Sequence, residues 1–492
     1  MSRYPLSVLR FTSFMKQFKQ FHILEHTFDP QTMKGKFSYT FDDEVNFTEI
    51  IDFWNNLEFK IQNLELKILD NLLFHLSIAL GISYYKLSPT ANIKLQNWTL
   101  NEDQIFFWKQ FYINGLGEFF FTNNLKPFAP EFISNCSPCE GRGTSHSEVV
   151  GLFSSSTNKA LVPLGGGKDS LVSVELIKKL GISFNTCTFG KDKPLYTQVN
   201  DIIHTPRLFI SRELDPLLFA MNKEGYYNGH VPISGIIAFV LVTAAYLYDY
   251  KYIVMSNEKS ANEGNTEIDW MVINHQRSKS LEFEKAFDTY VQKYLSPDLK
   301  YFSILRGMYE IKIAKEFAQH PQYFSAFSSC NRNFHILSPL SSVPQSGAKG
   351  DAEPMAKQGD LSPHSELWCN HCPKCAFVYS ILRPRITHKQ TLQIFGKELY
   401  EDASLEQLFK ELLGISGIKP FECVGTNEEV ILAMRKYRIN SANREPRTAT
   451  PYIMKIFESE ILPKMTESDL QKLEEKLMRI YPENNIPPEI TF

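Results

Sequence analysis

The sequence predicts an α/β protein built around a parallel sheet. Between residues 160 and 255, short apolar runs typical of buried strands alternate with longer helical patterns, as expected for a parallel sheet wrapped by helices. A glycine-rich loop joins the first of these strands to the first helix. The chain has 492 residues, of which 43% are hydrophobic and 13% aromatic. This content excludes a largely disordered protein.

The central elements follow from length and periodicity. Strands are short apolar runs, and helices are longer segments with apolar residues three and four positions apart. The predicted strands are Ala160–Leu164, Ile182–Phe189 and Tyr252–Met255, and the predicted helices are Leu171–Leu180, Ser234–Tyr248 and Phe283–Tyr294. The second of these helices is apolar on every face, which indicates a buried helix.

We expect three regions along the chain. Residues 1–158 mix strand-like and helical patterns, which is typical of an α+β module, whereas 159–385 hold the parallel sheet and 386–492 carry polar amphipathic helices. Ser134–Asn158 and Ser342–Ser365 are rich in small and polar residues, so neither buries enough apolar surface to fold alone. We predict a linker at the first stretch and a flexible insertion within the core at the second.

Charge and composition exclude several classes of function. Lys+Arg number 52 and Asp+Glu 55, a net charge of −3, so no basic surface indicates nucleic acid or an anionic membrane as a partner. The longest apolar run, Ile233–Tyr248, is shorter than the ~20 residues of a membrane span, and the N-terminus lacks the apolar region of a secretion signal. Eight cysteines are too few for a disulfide scaffold in this length. We therefore expect a cytoplasmic protein.

The sharpest local signal is the glycine loop, residues 165–170, between the first strand and the first helix. Successive glycines let the backbone approach an anion closely, and their N–H groups with the positive end of the helix form a nest for phosphate. The spacing is neither that of a Walker A loop nor Gly-x-Gly-x-x-Gly. The predicted phosphate-binding residues are Gly165, Gly166, Gly167, Lys168, Asp169 and Ser170. The carboxylate of Asp169 is suited to Mg²⁺ on the same phosphates.

This loop resembles the PP-loop of the ATP pyrophosphatases, whose pattern is Ser-Gly-Gly-x-Asp-Ser after the first strand of a parallel α/β domain. The resemblance implies an adenine nucleotide alpha hydrolase-like core that binds ATP and Mg²⁺. Enzymes of this kind split ATP into AMP and diphosphate, usually by adenylating a substrate. The first serine of the pattern is Gly165 in this chain, which removes one side-chain contact to phosphate.

Four cysteines predict a metal site. Cys369, Cys372 and Cys375 are separated by two residues each, and Cys330 supplies a fourth thiol from upstream. Four thiolates suit a closed, tetrahedral, structural zinc site. His371 is an alternative ligand, and the same thiols would also suit an iron–sulfur cluster.

Two polar segments lie where a parallel sheet binds its ligands: Met255–Asn265 and Asn274–Ser280. The first follows a predicted strand, and loops at the carboxyl ends of parallel strands bind ligands. The second precedes a predicted helix, whose N-terminus favours a carboxylate or phosphate. Their candidate residues are Asn257, Glu258 and Asn262 in the first segment and Asn274, His275 and Lys279 in the second. A solvated turn and a helix cap are the structural alternatives.

Nine short motifs together resemble the MurL family. The glycine loop and the cysteines are shared with other PP-loop enzymes, including 7-cyano-7-deazaguanine synthases, so the two polar segments are the more specific part. The remaining motifs are Gly115–Phe119, Asn228–Pro232, Tyr301–Arg306, Ser329–Asn331 and Lys419–Gly425. The matches run from about residue 115 to 430, while the first hundred residues match loosely and the two stretches of small residues depart from the family.

MurL enzymes are UDP-N-acetyl-α-D-muramoyl-L-alanyl-L-glutamate epimerases of peptidoglycan synthesis. The resemblance implies that this chain acts in cell-wall biogenesis and thereby in cell shape and division. It implies ATP-dependent conversion of the terminal L-Glu of UDP-MurNAc-L-Ala-L-Glu to D-Glu through an acyl-adenylate, with AMP and diphosphate as products. The implied partner is the nucleotide-linked dipeptide, and the implied cofactors are ATP, Mg²⁺ and a structural Zn²⁺.

The implied reaction requires removal of the glutamate α-proton. That proton is very weakly acidic beside a free carboxylate, and adenylation removes one of the two negative charges that the enolate would carry. Candidate bases are Glu258, His275 and Lys279, and candidate substrate-binding residues are Asn257, Asn262, Asn274 and Arg306. Two alternatives stay open: adenylation of another substrate, as in deazaguanine, amide or thiolation chemistry, and a catalytically silent zinc-containing binding module.

Overall fold

The computed structural model describes residues 16–54, 65–134, 152–268, 270–332, 367–417, 419–444 and 449–490. Within these residues, ten strands form one mixed sheet and two more form a hairpin. The strands are β1 Gln20–Asp29, β2 Lys34–Phe41, β3 Val45–Asp52, β4 Asn92–Leu95, β5 Glu131–Ser134, β6 Ala160–Pro163, β7 Phe184–Phe189, β8 Arg207–Glu213, β9 Tyr252–Met255, β10 Thr266–Ile268, β11 Met271–Ile273 and β12 Lys300–Ser303.

Helices cover the sheet and form the C-terminal region. In chain order they are α1 Leu66–Tyr85, α2 Glu102–Gly115, α3 Gly117–Thr122, α4 Lys168–Lys179, α5 Pro194–Ile203, α6 Pro216–Lys223, α7 Ile233–Tyr248, α8 Leu281–Tyr294, α9 Glu310–Phe317, α10 Pro373–Leu382, α11 His388–Phe395, α12 Glu406–Leu412, α13 Asn427–Arg444, α14 Tyr452–Glu460 and α15 Glu467–Met478. The three helices predicted for the central part of the chain correspond to α4, α7 and α8.

One half of the sheet is parallel throughout. Its order is β12-β9-β6-β7-β8, and each neighbouring pair is parallel. Every residue of β9 is buried, as expected for a strand covered on both faces by helices. The predicted α/β class with a parallel sheet is therefore confirmed.

The sheet continues into the N-terminal region. β8 pairs antiparallel with β3, which continues into the antiparallel strands β2 and β1, and β4 and β5 extend the far edge in parallel. A single sheet thus crosses residue 158, the predicted end of the N-terminal module. One buried apolar cluster joins this half to α7 and α8, and a second joins α4, α9 and α10 to the C-terminal helices.

The 20-residue helix α1 is a core element. It is long and apolar enough to cross a membrane, but 83% of its apolar window is buried inside the protein, where it packs against α7 and the strands β1 and β2. Burial of this extent is typical of a central helix. The predicted insertion Ser342–Ser365 and most of the predicted linker Ser134–Asn158 lie outside the described residues.

A buried ion pair joins the two halves of the sheet. Arg212 in β8 donates from Nε to Oε1 of Glu49 in β3 at 2.6 Å and from Nη2 to Oε2 at 3.3 Å. The same Nη2 donates to Ser83 Oγ at 2.8 Å, and Glu49 is fully buried. Because both ions have left water, each depends on the other for its stability.

Breaking this pair from one side should destabilise the fold. We expect Glu49→Gln to lower the free energy of unfolding by about 3–5 kcal/mol, because Arg212 then stays buried without a counter-charge. Replacing both residues by apolar ones should recover much of the loss. Urea denaturation measures the change. Asp103→Asn, which removes the exposed partner of Lys293, is the control and should leave the free energy of unfolding nearly unchanged. Wild-type stability of Glu49→Gln would contradict this prediction.

Candidate active site

The glycine loop connects β6 to α4, as predicted. Gly166 has φ +77°, and a Cβ there would lie 2.8 Å from Leu195 Cδ2, while a Cβ on Gly167 would lie 2.7 Å from Ser329 Oγ. Glycine is therefore required at Gly166 for its conformation, whereas a side chain at Gly167 would have to displace the Ser329 hydroxyl. A Cβ on Gly165 would meet nothing within 4 Å, so this end of the loop is open.

Two charged residues of the loop, Lys168 and Asp169 at the start of α4, belong to a buried charge network. Lys168 Nζ lies 2.5 Å from Asp169 Oδ1 and 2.5 Å from Glu310 Oε2, and Lys374 Nζ lies 3.5 Å from Glu310 Oε1. Burial opposes ionisation of Glu310, but the two lysines outweigh it and lower the pKa of this carboxyl to about 2. Lys168 is fully buried. Its charge is paired with the carboxylates of Asp169 and Glu310 and is not open to solvent.

Three neighbouring strands end at the same edge of the sheet. The glycine loop follows β6, Asn257 and Glu258 follow β9, and Arg306 follows β12. Because β12, β9 and β6 are adjacent and parallel, their carboxyl ends place these segments side by side. The structure thus brings together the glycine loop and the first polar segment that the sequence singled out.

Arg306 is a structural brace in this arrangement. Its Nη2 donates to Glu284 Oε2 at 2.6 Å and to the Lys279 carbonyl at 2.7 Å, while Nη1 donates to the Glu258 carbonyl at 2.8 Å. The side chain is only 1% exposed. We expected Arg306 to bind substrate, whereas its donors here hold the two polar segments together.

The predicted asparagines also make contacts within the protein. Asn274 donates from Nδ2 to the Ala261 carbonyl at 2.9 Å, which ties the two polar segments to each other. Asn262 accepts the backbone N–H of Leu281 at 2.8 Å and so caps the start of α8. Asn257 is buried.

Glu258 is a buried carboxyl with an unusual proton affinity. Burial and the nearby Glu310 raise its pKa to about 7, against the opposing effect of Lys279. The charge of Asp169 in the glycine loop acts on Glu258 in the same direction as Glu310. A carboxyl of this kind exchanges its proton near neutral pH, which suits acid–base chemistry.

His275 lies between two acidic groups. Its Nδ1 is hydrogen-bonded to Glu118 Oε2 of α3, and the thiol of Cys423 is the second acidic group that acts on the imidazole. Burial opposes protonation, but these two partners outweigh it and raise the pKa of His275 to about 9. His230 lies beside it with the ring centroids 4.5 Å apart, and burial and the charge of His275 lower the pKa of His230 to about 3.

Lys279 and Cys423 form the second contact of this group. Lys279 Nζ lies 3.2 Å from Cys423 Sγ. Burial opposes ionisation of the thiol, but Lys279 and His275 outweigh it and lower the pKa of Cys423 to about 5. Burial opposes protonation of Lys279, but the same thiolate and the carboxylate of Glu258 outweigh it and raise the pKa of Lys279 well above its usual range. Cys423 is partly exposed.

Four members of this site were missed as site residues by the sequence reasoning. Glu118 and Cys423 lie inside motifs that carry the family resemblance, and Lys374 lies between two of the predicted metal ligands. Glu310 lies in no motif, so nothing local marks it. These residues function through partners more than 40 positions away in the chain, which local patterns do not reveal.

The four predicted cysteines form one cluster. The sulfurs of Cys330, Cys369, Cys372 and Cys375 all lie within 4.8 Å of one another, with 3.4 Å between the sulfurs of Cys372 and Cys375. Their number, softness and spacing fit a tetrahedral metal ion. His371 contributes its backbone N–H to Cys369 Sγ at 3.5 Å. The prediction that these four residues can hold a metal is confirmed.

Comparison with known proteins identifies the family. The family model described as the MurL N-terminal domain matches residues 12–304, and the one described as the MurL C-terminal domain matches 356–469. The UDP-N-acetyl-alpha-D-muramoyl-L-alanyl-L-glutamate epimerase of Xanthomonas oryzae pv. oryzae is 32% identical over 96% of each chain. The enzyme of the same name from Micromonospora sp. is 30% identical over 85% of this chain and 87% of its own.

The match is not confined to a single motif or region. The N-terminal family model alone spans more than half of the chain, and the Xanthomonas relative aligns with nearly all of it. The resemblance carried by the nine motifs is thereby confirmed. This chain belongs to the MurL family.

Proposed function

We propose that this chain is an ATP-dependent epimerase that converts the terminal L-Glu of UDP-MurNAc-L-Ala-L-Glu to D-Glu in the cytoplasm. One observation carries the proposal from the geometry. A phosphate-type glycine loop and buried groups able to exchange protons lie at the same edge of a parallel sheet. The Asp169 carboxylate of the loop is close enough to influence the proton affinity of Glu258. The names of the related enzymes support the choice of substrate.

The proposed reaction needs both parts of the site. The α-proton beside a free carboxylate is not acidic enough to be removed, so the glutamate is first joined to AMP as a mixed anhydride with release of diphosphate. The anhydride is a better electron sink, and a positioned base then takes the proton. Return of a proton from the other face gives D-Glu, and water releases AMP.

The residues divide between these two tasks. Gly165–Ser170 offer backbone and side-chain donors to the phosphates, and Asp169 is suited to bind Mg²⁺ on them. Lys279 stays protonated because its pKa is raised by the acidic groups around it, so it suits an anionic group of the substrate. Glu258 and His275 are the remaining candidates for proton transfer.

An isotope experiment tests the whole proposal. The protein is incubated with UDP-MurNAc-L-Ala-L-Glu, ATP and Mg²⁺ in D₂O. We expect AMP, diphosphate and α-deuterated D-Glu, because the α-proton exchanges with solvent before it returns. A parallel reaction without ATP should show no exchange.

Two other outcomes contradict the epimerase. Formation of AMP without inversion or deuterium uptake would indicate another adenylated substrate, which product analysis with ammonia or a sulfur donor would identify. Absence of any ATP turnover would favour the binding module without activity.

Loss of the loop carboxylate should abolish ATP turnover. We expect Asp169→Asn to slow substrate-dependent AMP formation by about 10²-fold or more, because the metal ion on the phosphates loses a ligand. Asp298→Asn, at an exposed aspartate beyond α8, is the matched control and should leave the rate unchanged. Both rates are measured as AMP released. An Asp169→Asn protein with normal turnover would contradict the ATP-binding role of the loop.

The cysteine cluster should hold zinc. We expect the purified protein to contain about one zinc ion per chain by elemental analysis, and Cys372→Ser to lose the metal and unfold at lower denaturant concentration. Cys187→Ala, at a buried cysteine in β7, should keep the metal. Iron with visible charge-transfer absorption would contradict zinc and indicate an iron–sulfur cluster.

A further inference from the structure

We propose that Cys423 is a catalytic residue, the thiolate that exchanges the glutamate α-proton, and that Glu258 is its counterpart on the opposite face of the substrate. In this assignment His275 and Lys279 are positioning residues that hold the thiolate in its ionised form. The inference rests on the proposed function and deepens it, because the sequence reasoning left three candidate bases and did not count the cysteine among them.

The contacts of Cys423 resemble those of an activated thiol. Its sulfur lies close enough to His275 for the two charges to act on each other, and the Nδ1 atom of that imidazole is hydrogen-bonded to Glu118 Oε2. Lys279 Nζ approaches the same sulfur at 3.2 Å. A thiol beside a base that is itself oriented by a carboxylate is the arrangement that generates a reactive thiolate.

The charges around the thiol remove two of the three earlier candidates. Both His275 and Lys279 have raised pKa values, so at neutral pH they already carry protons and are unable to accept another. Cys423, with its pKa lowered to about 5, is ionised at the same pH. The group best suited to accept the α-proton is therefore the sulfur.

Further charged groups face this cluster from the neighbouring elements. Lys374 of α10 adds positive charge near the sulfur and donates from Nζ to the Cys423 carbonyl. The adjacent Glu422 carboxylate accepts from the Lys374 backbone N–H at 3.2 Å. These contacts fix the backbone of the cysteine, and Lys279 and His275 dominate the environment of its sulfur.

Glu258 has the complementary property. With a pKa of about 7, Glu258 keeps its proton at a pH at which Cys423 has lost its own. The charge of Lys279 acts on both Glu258 and Cys423. Two groups whose environments push their proton affinities apart are the usual sign of an acid and a base in one site. Arg306 donates to the backbone carbonyls of both Glu258 and Lys279, so the carboxyl and the lysine that contacts the thiolate belong to one site. In the proposed assignment one of the two groups serves each face of the substrate.

The proposed step balances without any oxidant or reductant. The Cα–H bond of the adenylated glutamate breaks, its proton forms an S–H bond on Cys423, and the electron pair moves onto the acyl oxygen. As that pair returns, the carboxyl proton of Glu258 forms the new Cα–H bond on the other face. Exchange of both groups with solvent then restores the thiolate and the protonated carboxyl.

The first test separates proton transfer from adenylation. We expect Cys423→Ala to retain substrate-dependent AMP formation within a few-fold, whereas interconversion of the L- and D-Glu products falls by about 10²–10⁴-fold. In D₂O it should exchange the α-proton of one isomer only, and Glu258→Gln should exchange that of the other isomer only. Cys187→Ala, at a buried cysteine that takes no part in the site, should behave as wild type.

Each contrary result has a distinct meaning. A wild-type protein that forms no AMP would overturn the proposed function itself. Wild-type turnover with a Cys423→Ala protein that still interconverts the isomers would overturn the cysteine assignment alone. Loss of AMP formation in a Cys423→Ala protein of unchanged denaturation midpoint would overturn it too, because the cysteine would then act in adenylation.

A second test reads the thiolate directly, without activity. Iodoacetamide should alkylate Cys423 at a rate that stays nearly constant between about pH 6 and 8, because the thiolate is already formed. Lys279→Met should make this rate rise with pH, and Lys279→Arg should restore the flat profile. Peptide mass spectrometry supplies the rates. A rate that rises with pH in the wild type, or a second zinc ion per chain held by Glu118, His230 and His275, would overturn the assignment.

Discussion

The site depends on one buried carboxylate that two lysines share. Glu310 at the start of α9 contacts Lys168 of α4 and Lys374 of α10, so three helices meet at a single negative charge. All three groups lie in the interior, where an unpaired charge is far more costly than in water. The glycine loop therefore keeps its position only while α9 and α10 are docked. The position of the proposed phosphate-binding loop and the packing of these helices are thus coupled through the same ion network.

The cysteine cluster gains a second role from this coupling. Lys374 lies between Cys372 and Cys375, so whatever fixes these ligands also fixes its side chain, which reaches both Glu310 and the Cys423 carbonyl. The metal ligand Cys330 also lies close to the glycine loop, because the backbone N–H of Ser328 donates to the Gly166 carbonyl at 2.9 Å. A metal held here would have no open position for chemistry, yet it would set the geometry of the nearby loop and thiol.

The sequence was most informative where contiguous residues determine the structure. The strands β6, β7 and β9, the glycine loop and the cysteine cluster each leave a local signature of apolarity, glycine or spacing, and each lies where it was expected. The other two strands of the parallel half, β8 and β12, were not predicted. Arg306 shows the limit, because nothing in its neighbourhood reveals that Glu284, 22 positions earlier, neutralises it. Glu118, His275 and Cys423 meet only through the tertiary fold. The PP-loop identity, the domain boundaries and the roles of the site residues remain predictions.

The proposed proton-transfer group is built from residues of both family segments. Glu118 and His275 come from the segment that matches the MurL N-terminal domain, and Cys423 comes from the segment that matches the C-terminal domain. Glu429 of α13 reinforces the joint by accepting from Ser260 Oγ at 2.9 Å and from the Ile311 backbone at 2.9 Å. The thiol of Cys423 and the imidazole of His275 are therefore brought together only when both segments fold together, so the proposed thiolate would form only in the complete site.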